Sequence, residues 1–69
     1  MEEGIVTFWR DDRGYGFIRR PGEPNVFLHH SEARGSWRPD LGDKVAFDIV
    51  TDSEGRLRAV NVQLIYRYD

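Results

Sequence analysis

The chain carries the sequences RGYGFI at residues 13–18 and VFLHH at residues 26–30, and these two runs decide its fold. Successive side chains of a β-strand point to opposite faces, so each run places its rings on one face and its aliphatic side chains on the other. The rings of the first run, Tyr15 and Phe17, share a face, and the second run repeats the pattern. A chain of 69 residues cannot easily cover both faces of a sheet. The pattern therefore predicts an exposed face built of rings.

Length and composition narrow the class of protein. The chain is long enough for one domain, residues 1–69, with one modest core. It contains no cysteine, which excludes a disulfide framework and thiol chemistry and is typical of a reducing cytoplasm. Glu2 and Glu3 stand where a secretory signal would be basic, and no apolar run reaches the length of a membrane span. We expect a soluble, cytoplasmic protein without membrane contact.

The rest of the chain is a series of short strand candidates separated by Gly, Pro and Asp, without a convincing helical stripe. The predicted strands cover residues 4–10, 15–19, 26–29, 45–49 and 60–64. Residues 31–43 are polar and irregular, with one helical turn at 31–34. The predicted core consists of apolar side chains that alternate with rings or polar residues: Val6, Ile18, Val26, Leu28, Val45, Phe47, Ile49, Val60, Val62 and Leu64. The fold class is all-β.

The motifs, in this order and at this spacing, resemble those of a known family. GIVTFW at residues 4–9 leads into RGYGFI, and VFLHH is followed by Ser31; together they closely resemble the two ribonucleoprotein-type motifs of the cold-shock domain. LGDKVAF at residues 41–47 and AVNV at 59–62 are similar to the family's approach to its fourth strand and to its closing strand. The resemblance implies a five-stranded antiparallel Greek-key barrel, the OB-fold, which binds oligonucleotides across its second and third strands.

Carried over residue by residue, the resemblance implies a stacking surface with two cationic neighbours. Its residues are Phe8, Arg13, Tyr15, Phe17, Phe27, His29, His30, Trp37 and Arg56. The family usually has Trp then Phe where this chain has Phe8 then Trp9, so either ring could face the ligand. We favour Phe8, because stacking tolerates any π-face, and we interpret Trp9 as a packing residue. His30 stands where the family usually has Phe, which exchanges stacking area for a group that gains charge at mildly acidic pH.

Two glycines of the first motif have predicted structural roles. Gly14 is expected to let the turn before the second strand adopt positive φ, because glycine has no Cβ. Gly16 is expected to keep the ring face flat between Tyr15 and Phe17. The loop that carries Trp37 is slightly shorter than is usual in the family, so the sequence leaves the position of that ring open.

Net charge argues against a binder dominated by phosphate contacts. Asp and Glu number 12 against 10 Lys and Arg, a formal net charge of −2, whereas typical nucleic-acid binders are basic. All the cations except Lys44 are arginines, which stack on bases and fork onto phosphate in ways that lysine cannot. We expect stacking to carry a larger share of binding than phosphate neutralisation.

The predicted function is binding of single-stranded RNA or DNA with little sequence preference, by a monomer that needs no cofactor. The family resemblance implies action as an RNA chaperone or transcription antiterminator in a cold-shock-type response. A protein-interaction barrel is the alternative, since Trp, Tyr and Arg are also the preferred anchors of protein interfaces. If a single-stranded oligonucleotide does not quench the Trp fluorescence of the protein at low salt, that alternative is favoured.

Catalytic and metal-binding functions find little support in the sequence. There is no cysteine nucleophile, nucleophile elbow or phosphate loop, so we predict that the protein is not an enzyme and has no catalytic residues. Ser31 beside the histidines is interpreted as a helix N-cap rather than a nucleophile. His29 and His30 are not expected to form a metal pair, because adjacent strand residues point to opposite faces and no third ligand has suitable spacing.

Overall fold

The structure is a computed structural model that describes residues 1–67. Its strands are β1 (Glu2–Arg10), β2 (Tyr15–Arg20), β3 (Glu23–His29), β4 (Lys44–Thr51) and β5 (Leu57–Tyr66), and a 3-10 turn, His30–Glu32, follows β3. The strands form a closed barrel in the order β1-β2-β3-β5-β4. The all-β class and the five-stranded barrel are thus confirmed. Within residues 1–67 no helix has both the length and the apolar character needed to cross a membrane.

All strand pairs of the barrel are antiparallel except β3 and β5. These two run parallel, and within residues 1–67 a single residue pair, Phe27 and Arg58, joins them in the ladder. We call this junction the β3–β5 seam. It closes the barrel and brings a residue near the start of β5 against the outer face of β3.

The strands are longer than the sequence predicted, because the turns between them are tighter. Arg20 pairs with Glu23, so Pro21 and Gly22 alone make the β2–β3 turn, and Gly22 adopts a φ of 74°. β3 accordingly begins at Glu23 rather than at Val26. Gly14 adopts a φ of 72° immediately before β2, which confirms its predicted role.

The core lies between the inner faces of all five strands. Its buried residues are Val6, Ile18, Val26, Leu28, Val45, Ala46, Phe47, Ala59 and Val62. Ile49 packs against this core while partly exposed, and Val60 and Leu64 lie outside it, contrary to the predicted core. Ala46 and Ala59, by contrast, are buried without having been predicted.

A bulge in β5 explains why Val60 lies outside the core. Ala46 pairs with Gln63 and Asp48 with Val60, so two residues of β5 oppose one residue of β4. Asn61, inside the bulge, has a φ of 55°, in the left-handed region that asparagine tolerates better than most residues. The bulge interrupts strict alternation, and Val60 consequently faces outward.

A second bulge, in β1, sets the direction of the ring at position 8. Val6 pairs with Ile18 and Phe8 with Phe17, so Thr7 is the additional residue. Phe8 therefore lies on the outer face although Val6, two residues earlier, is in the core. Opposite, a Cβ on Gly16 would collide with the Phe8 carbonyl oxygen and crowd the Trp9 ring. Gly16 is needed for this close approach to β1, which is a different reason from the predicted flatness of the ring face.

The loop before β4 is fastened by a buried carboxylate. Asp43 is 1% exposed, and its oxygens accept hydrogen bonds from Arg67 Nε at 2.9 Å and from the Asp40 backbone N–H at 3.0 Å. A buried charge is tolerated only when it is paired and hydrogen-bonded. The contact ties residues 40–43 to Arg67, immediately after the end of β5.

Candidate nucleic-acid interface

Four rings lie together on the outer face of β1, β2 and β3, and we call them the ring cluster: Phe8, Tyr15, Phe17 and Phe27. Phe17 pairs with Phe27 across β2 and β3, and with Phe8 across β1 and β2, so the ladders themselves set the spacing. Ring centroids lie 6.4 Å apart for Phe8 and Tyr15, 6.0 Å for Phe8 and Phe17, and 5.8 Å for Tyr15 and Phe27. Phe17 meets Phe27 edge-on at 5.9 Å. The rings form one continuous apolar surface.

The ring cluster is open to solvent. Phe8 is 43% exposed and Phe17 is 36% exposed, whereas Ile18, on the inner face of β2, is fully buried. Trp9 is only partly exposed and packs against the core, and its Nε1 donates to Asp11 Oδ1 at 3.5 Å. Of the two candidate rings in β1, the structure thus places Phe8 in the cluster and Trp9 against the core.

His29 extends the outer face of β3 and also caps the turn that follows. It pairs with Tyr15 in the β2–β3 ladder, and its Nδ1 accepts a hydrogen bond from the Ser31 backbone N–H at 3.2 Å. Ser31 Oγ lies 2.8 Å from the same nitrogen. The N-cap of the 3-10 turn is therefore His29, and the prediction that Ser31 caps it is wrong. The cap thus uses the lone pair of Nδ1, which leaves Nε2 as the ring nitrogen that is not part of the cap.

The two histidine rings are in contact, contrary to the argument from alternation. Their centroids lie 4.5 Å apart, because β3 ends at His29 and His30 belongs to the 3-10 turn. Gly14 lies directly against the His30 ring, where a Cβ would collide with it, and its carbonyl accepts from the His30 N–H at 2.8 Å. Among residues 1–67 no group of three or more potential metal ligands is found.

A cleft of about 460 Å³ lies beside the ring cluster, between the β1–β2 turn and residues 33–39; we call it the Trp37 cleft. Its lining includes Arg13, His30, Trp37 and Arg38. Trp37 is partly exposed and also packs against the core. The predicted site therefore has two parts: the ring cluster, and the Trp37 cleft with His30 and Arg13. The contact between His29 and His30 connects them.

A second cleft of about 520 Å³ borders the ring cluster on its other side, along the β3–β5 seam; we call it the Arg58 cleft. It is lined by Phe17, Phe27 and His29 from the outer face, and by Arg56 and Arg58. Arg58 Cζ lies 5.4 Å from the centroid of the Phe27 ring, within the range of a cation–π contact. Arg58 was not among the predicted site residues, because its position depends on the parallel pairing of β3 with β5.

Carboxylates in the β1–β2 and β4–β5 turns form ion pairs with several arginines near the rings. Arg10 pairs with Asp12 at 3.0 Å, Arg38 with Asp11 at 3.0 Å, and Arg56 with Asp52 at 3.0 Å. The hydrogen bond from Arg10 holds the pKa of Asp12 below its ordinary value. The Arg56 backbone N–H, which donates to Asp52, likewise lowers the pKa of that carboxyl. Both carboxylates stay ionised at neutral pH, so part of the local positive charge is neutralised.

A closed five-stranded barrel with a solvent-open ring cluster across its first three strands defines a nucleic-acid-binding barrel of the OB-fold class. The model of the "'Cold-shock' DNA-binding domain" family matches residues 2–65 of the chain. The chain belongs to this family. Cold-shock domain proteins are nucleic-acid-binding proteins rather than enzymes, as the sequence predicted.

Similar proteins come from several bacteria and from a fly. Cold shock protein CspC of Bacillus subtilis is 38% identical over 65 residues, covering 91% of this chain and 97% of the relative. Cold shock protein CspB of Geobacillus stearothermophilus is 35% identical over 66 residues, covering 93% and 100%. The solved structure of Drosophila Unr CSD456 superposes with a TM-score of 0.74 at 28% identity, covering 94% of this chain and 26% of that longer one.

Proposed function

We propose that this protein binds single-stranded RNA or DNA with low sequence specificity by stacking bases on the ring cluster. The observation that carries the proposal is the exposed, continuous set of four rings on β1–β3. Each stacked base contributes roughly 1–3 kcal/mol, and every base offers a π-face, so stacking of this kind discriminates little between sequences. A base pair inside a duplex does not expose its π-face to a protein surface, so the protein selects single strands.

The predicted site residues have different parts in this proposal. Phe8, Tyr15, Phe17 and Phe27 stack successive bases, and His29 continues this row towards the Trp37 cleft. His30 and Trp37 receive a further base in that cleft, with Arg13 at its edge to contact phosphate. Arg56 lies within reach of the strand on the opposite side, although its charge is offset by Asp52.

The cellular role follows from holding strands unpaired. A monomer that stacks unpaired bases opposes secondary structure in transcripts, which is the activity of an RNA chaperone or a transcription antiterminator in the cytoplasm during a cold-shock response. Membership of the cold-shock domain family supports this role over a protein-interaction barrel. No cofactor is needed, because the binding energy comes from stacking and phosphate contacts alone.

Fluorescence anisotropy with a labelled oligothymidylate of about eight nucleotides, within the site size of one OB-fold, tests the proposal. We expect saturable binding of the single strand and much weaker binding of the same sequence as a duplex. A labelled RNA hairpin should open as protein is added, and a Phe17→Ala variant should open it less. Equal binding of both forms, or no binding at low salt, would remove the proposal and favour a protein partner for the ring cluster.

A further inference from the structure

The Arg58 cleft contains two arginines in different electrostatic surroundings. Arg56 and Arg58 are two residues apart, and both line the cleft beside Phe17 and Phe27. Their side chains have the same chemistry, and both residues are exposed. The contacts around each guanidinium therefore decide which of them is available to an anionic ligand.

Arg56 is surrounded by carboxylates. Its Nε lies 3.0 Å from Asp52 Oδ2, and its Nη2 lies 3.6 Å from Glu54 Oε1. Asp52 is fixed in place, because its Oδ1 accepts hydrogen bonds from the backbone N–H groups of Glu54 and Arg56, both at 2.9 Å. Two negative charges beside one positive charge leave this corner of the cleft net negative. A phosphate that approaches Arg56 meets repulsion from both carboxylates.

Arg58 has no such neighbour. Within residues 1–67 no carboxylate is ion-paired with it, and its Cζ lies 5.4 Å from the centroid of the Phe27 ring. An arginine held near a ring is more ordered than a free surface cation, and its planar guanidinium can fork onto a phosphate with parallel N–H donors. Phe27, the ring next to Arg58, is a member of the ring cluster, so the positive charge of Arg58 lies beside a stacking position.

We propose that Arg58, rather than Arg56, makes the phosphate contact on this side of the ring cluster, binding the phosphodiester next to the base that stacks on Phe27. The inference rests on the proposed function and adds a residue to it. It also changes the assignment made from sequence, in which Arg56 was the cationic neighbour. The ligand class is the backbone phosphate of a single-stranded nucleic acid.

Arg58→Gln and Arg56→Gln form a matched pair, since each removes one charge from an exposed side chain. Affinity for the labelled oligothymidylate is measured from 25 to 200 mM salt, and unfolding midpoints verify that both variants fold. We expect Arg58→Gln to reduce the log-log salt slope by about 0.7, the value for one phosphate on a single strand, and to weaken binding about fivefold at low salt. Arg56→Gln should change the slope by much less. Equal slope losses, or a loss confined to Arg56→Gln, would overturn the inference.

Asp52→Asn provides a test that does not depend on removing either arginine. Asparagine keeps an oxygen to accept the turn hydrogen bonds but removes the charge beside Arg56. Binding should tighten and the salt slope should rise, and both gains should disappear in Asp52→Asn with Arg56→Gln. If the slope is unchanged both in Asp52→Asn and in Asp52→Asn with Glu54→Gln, carboxylates do not mask Arg56 and the inference fails. Absence of single-strand binding by the unaltered protein would instead contradict the proposed function.

Discussion

The two faces of β2 and β3 use the same backbone for different purposes. On the inner face Ile18, Val26 and Leu28 are fully buried, whereas on the outer face Phe17 is 36% exposed beside Phe27. Burial of apolar area stabilises the fold, so the inner side chains carry stability. The outer rings retain accessible π-faces and carry binding. Because alternate residues of one strand serve the two purposes, point mutations should separate stability from affinity.

The largest effect is expected on the inner face. Leu28→Ala removes a fully buried side chain and leaves a cavity, so the free energy of unfolding should fall by about 2–5 kcal/mol. Chemical denaturation followed by circular dichroism measures this. Affinity per folded molecule should be unchanged, and wild-type stability in this variant would show that the two faces are reversed.

The outer face should respond in affinity rather than in stability. Phe17→Ala should weaken binding of a single strand by about 1–3 kcal/mol, because one stacking position is lost. Its unfolding free energy should change much less than that of Leu28→Ala. Phe17 is a better choice than Phe27, since Phe27 is more buried and contacts Arg58. If Phe17→Ala instead unfolds and binds in proportion to its folded fraction, the ring is part of the core.

Salt dependence tests whether stacking dominates on the outer face. Within residues 1–67 the cations without an ion pair are Arg13, Arg19, Arg34 and Arg58. We therefore expect a shallow log-log slope, equivalent to about two to four phosphates at roughly 0.7 each. Between 50 and 200 mM salt this corresponds to a loss of affinity of roughly 7-fold to 50-fold. Titrations across that range measure it. A slope for six or more phosphates would show that charge dominates.

The smallest effect concerns His30 in the Trp37 cleft. Binding of a single strand should tighten as the pH falls from 7.5 to 6, on the order of twofold to fivefold. The reason is that histidine is the side-chain type whose charge changes in this range, and a cation in the cleft beside Arg13 would attract phosphate. His30→Phe should lose this response while keeping its affinity near pH 7.5, because it restores stacking area. Asp12, whose pKa the hydrogen bond from Arg10 lowers, lines the same cleft and remains ionised throughout this range. Asp11 lines it too and is ion-paired with Arg38.

The neighbouring histidine supplies the control for that titration. Its Nδ1 caps the 3-10 turn, so His29→Asn removes the imidazole while retaining a residue that caps well. The pH response should persist in this variant. If His30→Phe keeps the full response and loses affinity, His30 has a structural or hydrogen-bonding role and does not belong to the binding site.

The features that depend on neighbouring residues in the sequence could be predicted, whereas those that depend on distant contacts could not. Alternation in two short runs was enough to place Phe17 and Phe27 on one face, and the order of the motifs was enough to predict the barrel. Val60 was misplaced because the bulge at Asn61 depends on a distant partner: the Asn61 N–H donates to Glu32 Oε1 at 3.2 Å, across 29 residues of sequence. Such a contact leaves no periodic signal.

The residues of the candidate site also fall into those that spacing along the chain predicts and those that depend on distant strand pairing. Tyr15 and its neighbours in β2 could be predicted from spacing, whereas Arg58 requires knowledge that β3 and β5 run parallel. The ion pairs of Arg56 depend on how the turn at residues 52–55 folds back onto the following residue. Charge counts along the chain give the number of arginines but do not show which of them are neutralised.

The β3–β5 seam has a consequence for motion in the barrel. Within residues 1–67 one residue pair joins these strands in the ladder, so the seam is the place in this part of the chain where separation of two strands breaks the fewest backbone hydrogen bonds. Phe27 and Arg58 are that pair, and they stand on opposite sides of the junction. A nucleic acid that contacts both residues would link the two strands across the seam. Separation of β3 from β5 should therefore be rarer in the bound barrel than in the free one.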